Sequence, residues 1–87
     1  MTMLPEVPGV EHVLPLDDFG LLLTFSNGKQ RVFSVKPYLD KGIFTELRNT
    51  VYFRSVRAES GFISWPHEQD FSPETLYLKS RPVEQKS

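Results

Sequence analysis

The chain reads as an α+β fold: a small antiparallel sheet, built from a three-stranded meander and a second hairpin, with one broken central helix and a short C-terminal helix. Three observations predict it. Asn27-Gly28 and Ser60-Gly61 each sit between alternating apolar runs, which is hairpin chemistry. Pro37 and Pro73 each open a segment with helical spacing. With 87 residues, 39% hydrophobic and 24% charged, the composition is that of one globular domain with a thin core. The expected boundaries are a single domain over 1–87, an ordered core over about 10–78, and loose tails at 1–8 and 80–87.

From Val10 to Leu16, the residues Val10, His12, Leu14 and Leu16 share one parity and predict a strand with that face inward. Pro15 places the strand at an edge or at its end, since proline cannot donate to a ladder. Asp17-Asp18-Phe19-Gly20 supplies a turn. The hairpin over Leu21 to Val35 has two candidate registers. A two-residue loop spreads apolar residues over both faces. A three-residue loop, Ser26-Asn27-Gly28, pairs Leu23 with Arg31 and Leu21 with Phe33 and gathers Leu21, Leu23, Phe25, Phe33 and Val35 on one face. The second register is preferred because it segregates the faces, leaving Leu22, Thr24, Gln30, Val32 and Ser34 outward.

Leu39, Ile43 and Leu47 recur at four-residue spacing and predict a core-facing stripe. Gly42 breaks the segment into a turn near Pro37 to Asp40 and a helix near Ile43 to Arg48, which ends at Asn49. The second hairpin joins Arg54–Glu59 to Phe62–Trp65 and sets Val56 opposite Trp65 and Ala58 opposite Ile63. Ser72 is the expected cap of the last helix, Pro73 its first residue and Glu74 a favourable first-turn charge, with the helix running to about Leu78. Leu76 and Tyr77 dock it.

Four stretches, taken in order, resemble a known family: Leu23-Thr24-Phe25-Ser26-Asn27-Gly28, the run from Val35 to Phe44, Ile63-Ser64-Trp65-Pro66, and the run from Asp70 to Tyr77. Together they are similar to the bacterial family called domain of unknown function 2442, over roughly residues 10 to 78. The resemblance implies a small antiparallel sheet with helices against it. It also implies an accessory or partner-binding role, since members stand alone, fused to helix-turn-helix domains, or beside another small protein in toxin-antitoxin-like pairs. Where relatives tend to carry an Asn-Gly turn after the tryptophan, this chain has His67-Glu68-Gln69.

Composition closes several routes to chemistry. The absence of cysteine excludes disulfides, thiolate metal sites and a cysteine nucleophile. No apolar run approaches the roughly 18 residues of a membrane span, and no signal-peptide pattern opens the chain, so a cytoplasmic protein is expected. The glycines are scattered singly, without a phosphate-binding pattern. His12 and His67 have no second ligand at metal spacing. Asp17-Asp18 reads as turn aspartates before a catalytic pair. His67, Glu68 and Asp70 are the best-placed acid–base group, but no nucleophile or oxyanion device accompanies them. Trp65 aligns with Val56 and Ile63 and is expected in the core. No enzyme activity, cofactor or metal is expected.

Two binding surfaces are expected instead. Phe62, Leu22 and Val32 fall on outward parities and form a partner-binding or self-association patch, unless the C-terminal helix covers it. The net charge of -1 conceals a division: residues 1–28 carry -4, residues 29–57 carry +5 and the remainder -2. Arg54 and Arg57 in the basic segment are the candidate anion-binding residues, with Arg31 nearer the hairpin tip. The leading expectation is therefore a non-enzymatic protein-interaction or accessory module, antitoxin-like, with a protein partner or a second copy. The alternative is a nucleic-acid-associated regulator.

Overall fold

The structure is a computed structural model that describes residues 7–83. Seven strands and two α-helices follow in the order β1 Val10–Pro15, β2 Gly20–Phe25, β3 Gln30–Ser34, α1 Thr50–Phe53, β4 Arg57–Glu59, β5 Phe62–Ser64, β6 Asp70–Phe71, α2 Pro73–Lys79 and β7 Arg81–Pro82. Short 3-10 segments occupy Asp17–Phe19, Lys36–Tyr38 and Gly42–Arg48. The α+β class holds, but the strands divide into two antiparallel sheets, ordered β1-β2-β3-β7 and β4-β5-β6. Among the described residues, a single bridge between Val10 and Gly61 stitches them together.

The first hairpin takes the three-residue register. Leu21 pairs with Phe33 and Leu23 with Arg31, and Gly28 holds a φ of 86° that favours glycine. The segregated face is the core: Leu21, Leu23, Phe25, Phe33 and Val35 are all buried. Ile63, Trp65 and Phe71 meet them from the second sheet, and Leu47, Phe53 and Leu76 from the helical segments. Each such side chain contributes about 1.5–3 kcal/mol on burial.

Strand β1 departs from its expected parity. Val10 pairs with Phe25 but His12 pairs with Thr24, so Glu11 is an extra residue and the alternation flips after it. Val13 then packs against the core, whereas Leu14, expected inward, is 56% exposed. Pro15 ends the strand, and β1 forms one border of its sheet.

The central segment is also corrected. Asn49 does not stop a helix but caps the next one, its Oδ1 accepting from the amides of Val51 and Tyr52 at 3.0 and 3.2 Å. That helix, α1, takes up the residues before Arg54, and pairing in the second hairpin begins only at Arg57. Of the expected stripe, Leu47 is buried and Leu39 partly buried, but Ile43 is 60% exposed, because a 3-10 segment does not keep four-residue spacing on one face. Ala58 pairs with Ile63 as expected, and Ser60 and Gly61 have φ of 52° and 87°, as a two-residue hairpin turn requires.

The C-terminal region is tied down further than composition suggested. Ser72 caps α2, its Oγ accepting from the Thr75 amide at 3.3 Å. Ser80 is buried, and β7 pairs with β3 through Arg31–Pro82 and Val32–Arg81. Arg81 and Pro82, expected in a loose tail, are therefore part of the sheet, and Ser80 is buried at the end of α2. The expectations for 1–6 and 84–87 lie outside the described residues.

Candidate functional site

The outward face of the first sheet is built by register. Leu14 pairs with Leu22, Leu22 with Val32 and Val32 with Arg81, so these side chains form one row across all four strands. A polar row lies on one side of it, where His12 pairs with Thr24 and Thr24 with Gln30. The Gln30 amide donates to the Thr24 hydroxyl at 3.2 Å. On the other side, Leu16, Gly20, Ser34 and Val32 line a groove shared with Asp17, Asp18, Lys36, Lys79 and Arg81. Leu14, Leu22 and Val32 belong neither to the hydrophobic interior nor to the side chains packed against it.

The structure thus brings together two of the three residues expected in an apolar patch. Phe62 lies apart from Leu22 and Val32, on β5 of the second sheet, opposite Glu59. It is half-buried beside a shallow hollow of about 200 Å³ formed with Asp70, Phe71, Ser72 and Pro73. The reason is topological: β5 pairs with β4 and β6, not with the meander, so outward parity in the two hairpins does not define one surface. Sequence reasoning missed Leu14, whose parity depends on the bulge at Glu11. The available signal was that Val10 and Val13 are both apolar although simple alternation puts them on opposite faces.

The basic residues do not form a patch. Arg54 caps α1 and shares a groove with Asp17 and Asp18, while Arg57 lies on β4 opposite Ser64, outside that groove. Arg31 is committed internally: its Nε donates to Ser80 Oγ at 2.7 Å and its Nη2 to the Ser80 carbonyl at 2.6 Å. The guanidinium also lies 5.0 Å from the Tyr77 ring centroid.

A second arrangement forms around the loop after Trp65. His67 Nδ1 lies 2.7 Å from Glu46 Oε2, and because an ionised carboxylate only accepts, Nδ1 carries the proton and donates. Gln69 is 1% exposed. Its amide nitrogen donates to Ile43 O at 2.9 Å and Glu46 Oε1 at 3.0 Å, and its oxygen accepts from the Tyr52 hydroxyl at 2.6 Å. The Tyr52 hydroxyl in turn accepts the His67 amide at 2.7 Å, and the two rings stack at 5.0 Å. The Gln69 hydrogen bond is the first cause holding the Glu46 carboxyl below its usual pKa, helped by His67 and opposed by desolvation.

Of the expected trio of His67, Glu68 and Asp70, only His67 enters this network. Glu68 is exposed at a φ of 79°, and Asp70 pairs with Ser64 on β6. His12 stands exposed on the outward face, and Asp18 pairs with Lys36 at 2.8 Å. Trp65 is buried as expected, and its indole nitrogen donates to Phe53 O at 2.8 Å. Among the described residues, no three His, Cys, Asp or Glu side chains are grouped to hold a metal ion. No described helix is long and apolar enough to cross a membrane. The hydrogen bonds of this network fasten the Gly42–Arg48 segment, α1 and the loop to one another.

No curated protein and no solved structure matches the chain. The family model described as protein of unknown function (DUF2442) matches residues 10–82, a span that runs from the first residue of β1 to the last of β7. The four stretches that suggested this family fall on the β2–β3 turn, the Lys36–Tyr38 corner, β5 with Trp65, and β6 with α2. The chain belongs to the DUF2442 family.

Proposed function

We propose that the protein is a non-enzymatic, cytoplasmic interaction module whose docking surface is the outward face of the first sheet. It would serve as the accessory, antitoxin-like half of a two-protein system. The observation that supports this reading most is the row Leu14–Leu22–Val32, which runs apolar across three adjacent strands outside the interior. Apolar side chains aligned in one stripe between polar rows are the composition of an interface centre and rim. The nucleic-acid alternative draws less support: Arg54 and Arg57 are exposed, but Arg57 lies on β4 outside the groove that Arg54 lines, so the two do not make one basic surface.

The test is sedimentation of the purified chain, alone and co-expressed with the product of its neighbouring reading frame, against the Leu22→Glu and Leu14→Glu variants. The expected result is an assembly larger than the monomer in at least one mixture, lost in both variants. A monomer in both mixtures overturns the reading. Filter binding at two salt concentrations addresses the alternative, since a phosphate binder weakens steeply as salt rises.

A further inference from the structure

The charges bordering the apolar row say what covers it. Asp17 and Leu16 stand at the β1 side of the shared groove, and Lys79 and Arg81 at the β7 side. One end of the face therefore carries the acidic Asp17 at its β1 corner and the basic Lys79 and Arg81 at its β7 corner, with Asp18 and Lys36 in the same groove paired to each other at 2.8 Å and the apolar row beside them. A surface with that distribution complements itself when turned over. Consider a two-fold axis running along the strands between β2 and β3. It exchanges the β1 and β7 borders and keeps position along the strands, so Leu22 of one copy lies over Val32 of the other. In the same operation Leu14 lies over the aliphatic stem of Arg81, and Asp17 faces Lys79. Isologous contacts of this kind use each pairing twice.

We propose that the occupant of this face is a second copy of the chain, packed sheet on sheet about such a two-fold axis. The inference rests on the interaction reading above and names its partner. Aligned sheet packing suits the row, since the outward side chains stand on neighbouring strands and interdigitate with their symmetry mates. A partner of uniform charge fits less well, because one of the two charged corners would repel it. The size of the face sets the strength. Four strands at about 4.8 Å spacing project an area of only a few hundred Å², under the roughly 800 Å² per partner of a stable interface. The dimer is accordingly weak and concentration-dependent.

The experiment is a charge swap. Asp17→Lys alone places two like-charged pairs in the dimer, and Lys79→Glu alone does the same with opposite sign. Each variant is expected to dissociate at least about tenfold more readily than the parent at low salt, with the difference shrinking as salt screens it. Mixing the two variants restores both pairs, so sedimentation equilibrium of the mixture is expected to show a heterodimer near the parent affinity. That result also establishes that both variants fold. Leu14→Glu, at the exposed end of the row, is expected to abolish dimerisation in every combination.

A parent chain that is monomeric at its highest soluble concentration overturns the inference, as does a dimer that survives Leu14→Glu or is not restored by mixing. A monomer alone that forms a complex with the neighbouring product, lost in Leu14→Glu, removes the second copy and leaves the interaction reading standing. Monomers throughout remove both.

Discussion

Arg31 and Ser80, separated by 49 positions in the chain, are held by a two-pronged hydrogen bond from one guanidinium to the hydroxyl and carbonyl of one serine. The contact fastens the end of α2 to the inner side of β3, and Tyr77 covers the guanidinium. Hydrogen bonds from a charged donor are worth about 1.5–3 kcal/mol when partly shielded from water. Arg31→Ala is expected to lower the stability to urea by about 2 kcal/mol. Arg31→Lys is expected to recover less than half of that, because an ammonium cannot reproduce the fork. An alanine variant within about 0.5 kcal/mol of the parent would show that the clasp contributes nothing.

Gln69 occupies the centre of the loop network, with both ends of its amide engaged in a nearly water-free site. Gln69→Leu keeps the volume but leaves the Tyr52 hydroxyl proton without its acceptor and takes a donor from the Ile43 carbonyl, at an expected cost of about 2–3 kcal/mol. Tyr52→Phe removes the hydroxyl that links Gln69 to the His67 amide. Because both variants break one network, the double variant is expected to cost less than their sum. Additive losses in a double-mutant cycle would mean that the two contacts are independent.

The parts of the fold that were legible share a physical basis: they are fixed by neighbours in sequence. The β2–β3 register follows from Asn27-Gly28 and from the demand that Leu21, Leu23 and Phe25 face one way. Ser72-Pro73 marks a helix start by its own side chains. What was hidden depends on long-range pairing. Glu11 becomes a bulge only because Val10 must face inward with Phe25 while Val13 does so with Leu23. Asn49 is compatible with either end of a helix, and packing of Phe53 and Trp65 decides which. The His67–Glu46 contact spans 21 residues, so the loop presented only its local carboxylates, Glu68 and Asp70. The outward row was half visible, because Leu22 and Val32 follow from the hairpin but Leu14 requires the bulge.

Acid should loosen the loop network through Glu46. Its carboxyl titrates below the usual value, first because Gln69 donates to it and then because His67 does. Between the folded and unfolded pKa values the unfolded chain binds the extra proton, so this group's contribution to stability rises with pH there. The contribution is complete above the ordinary carboxylate range and is lost as pH falls through the depressed folded value. Glu46→Gln is expected to flatten the acid limb of the stability curve, and a carboxyl-detected titration should place Glu46 below exposed glutamates. A Glu46 that titrates at or above their value would contradict the network.

The two sheets meet where Gly9 crosses Gly61, and the approach leaves no room for a side chain. A Cβ on Gly9 would stand 2.9 Å from the Gly61 Cα, a backbone atom that cannot swing aside. Gly9 also anchors the first hairpin, its carbonyl accepting the Ser26 amide at 2.7 Å, and the next residue donates to Gly61 O at 2.9 Å. Gly9→Ala must therefore part the sheets at the Val10–Gly61 bridge, with an expected loss of about 2 kcal/mol or more. Gly28→Ala is the informative contrast. There the φ of 86° strains alanine but nothing lies within 4 Å of the added carbon, so about 1 kcal/mol is expected. Hydrogen exchange separates the two effects: the Val10 and Ser26 amides should lose protection in Gly9→Ala beyond the change in global stability, and track it in Gly28→Ala. Unchanged local protection at Val10 in Gly9→Ala would mean that the sheets accommodate the methyl by sliding, with the bridge intact.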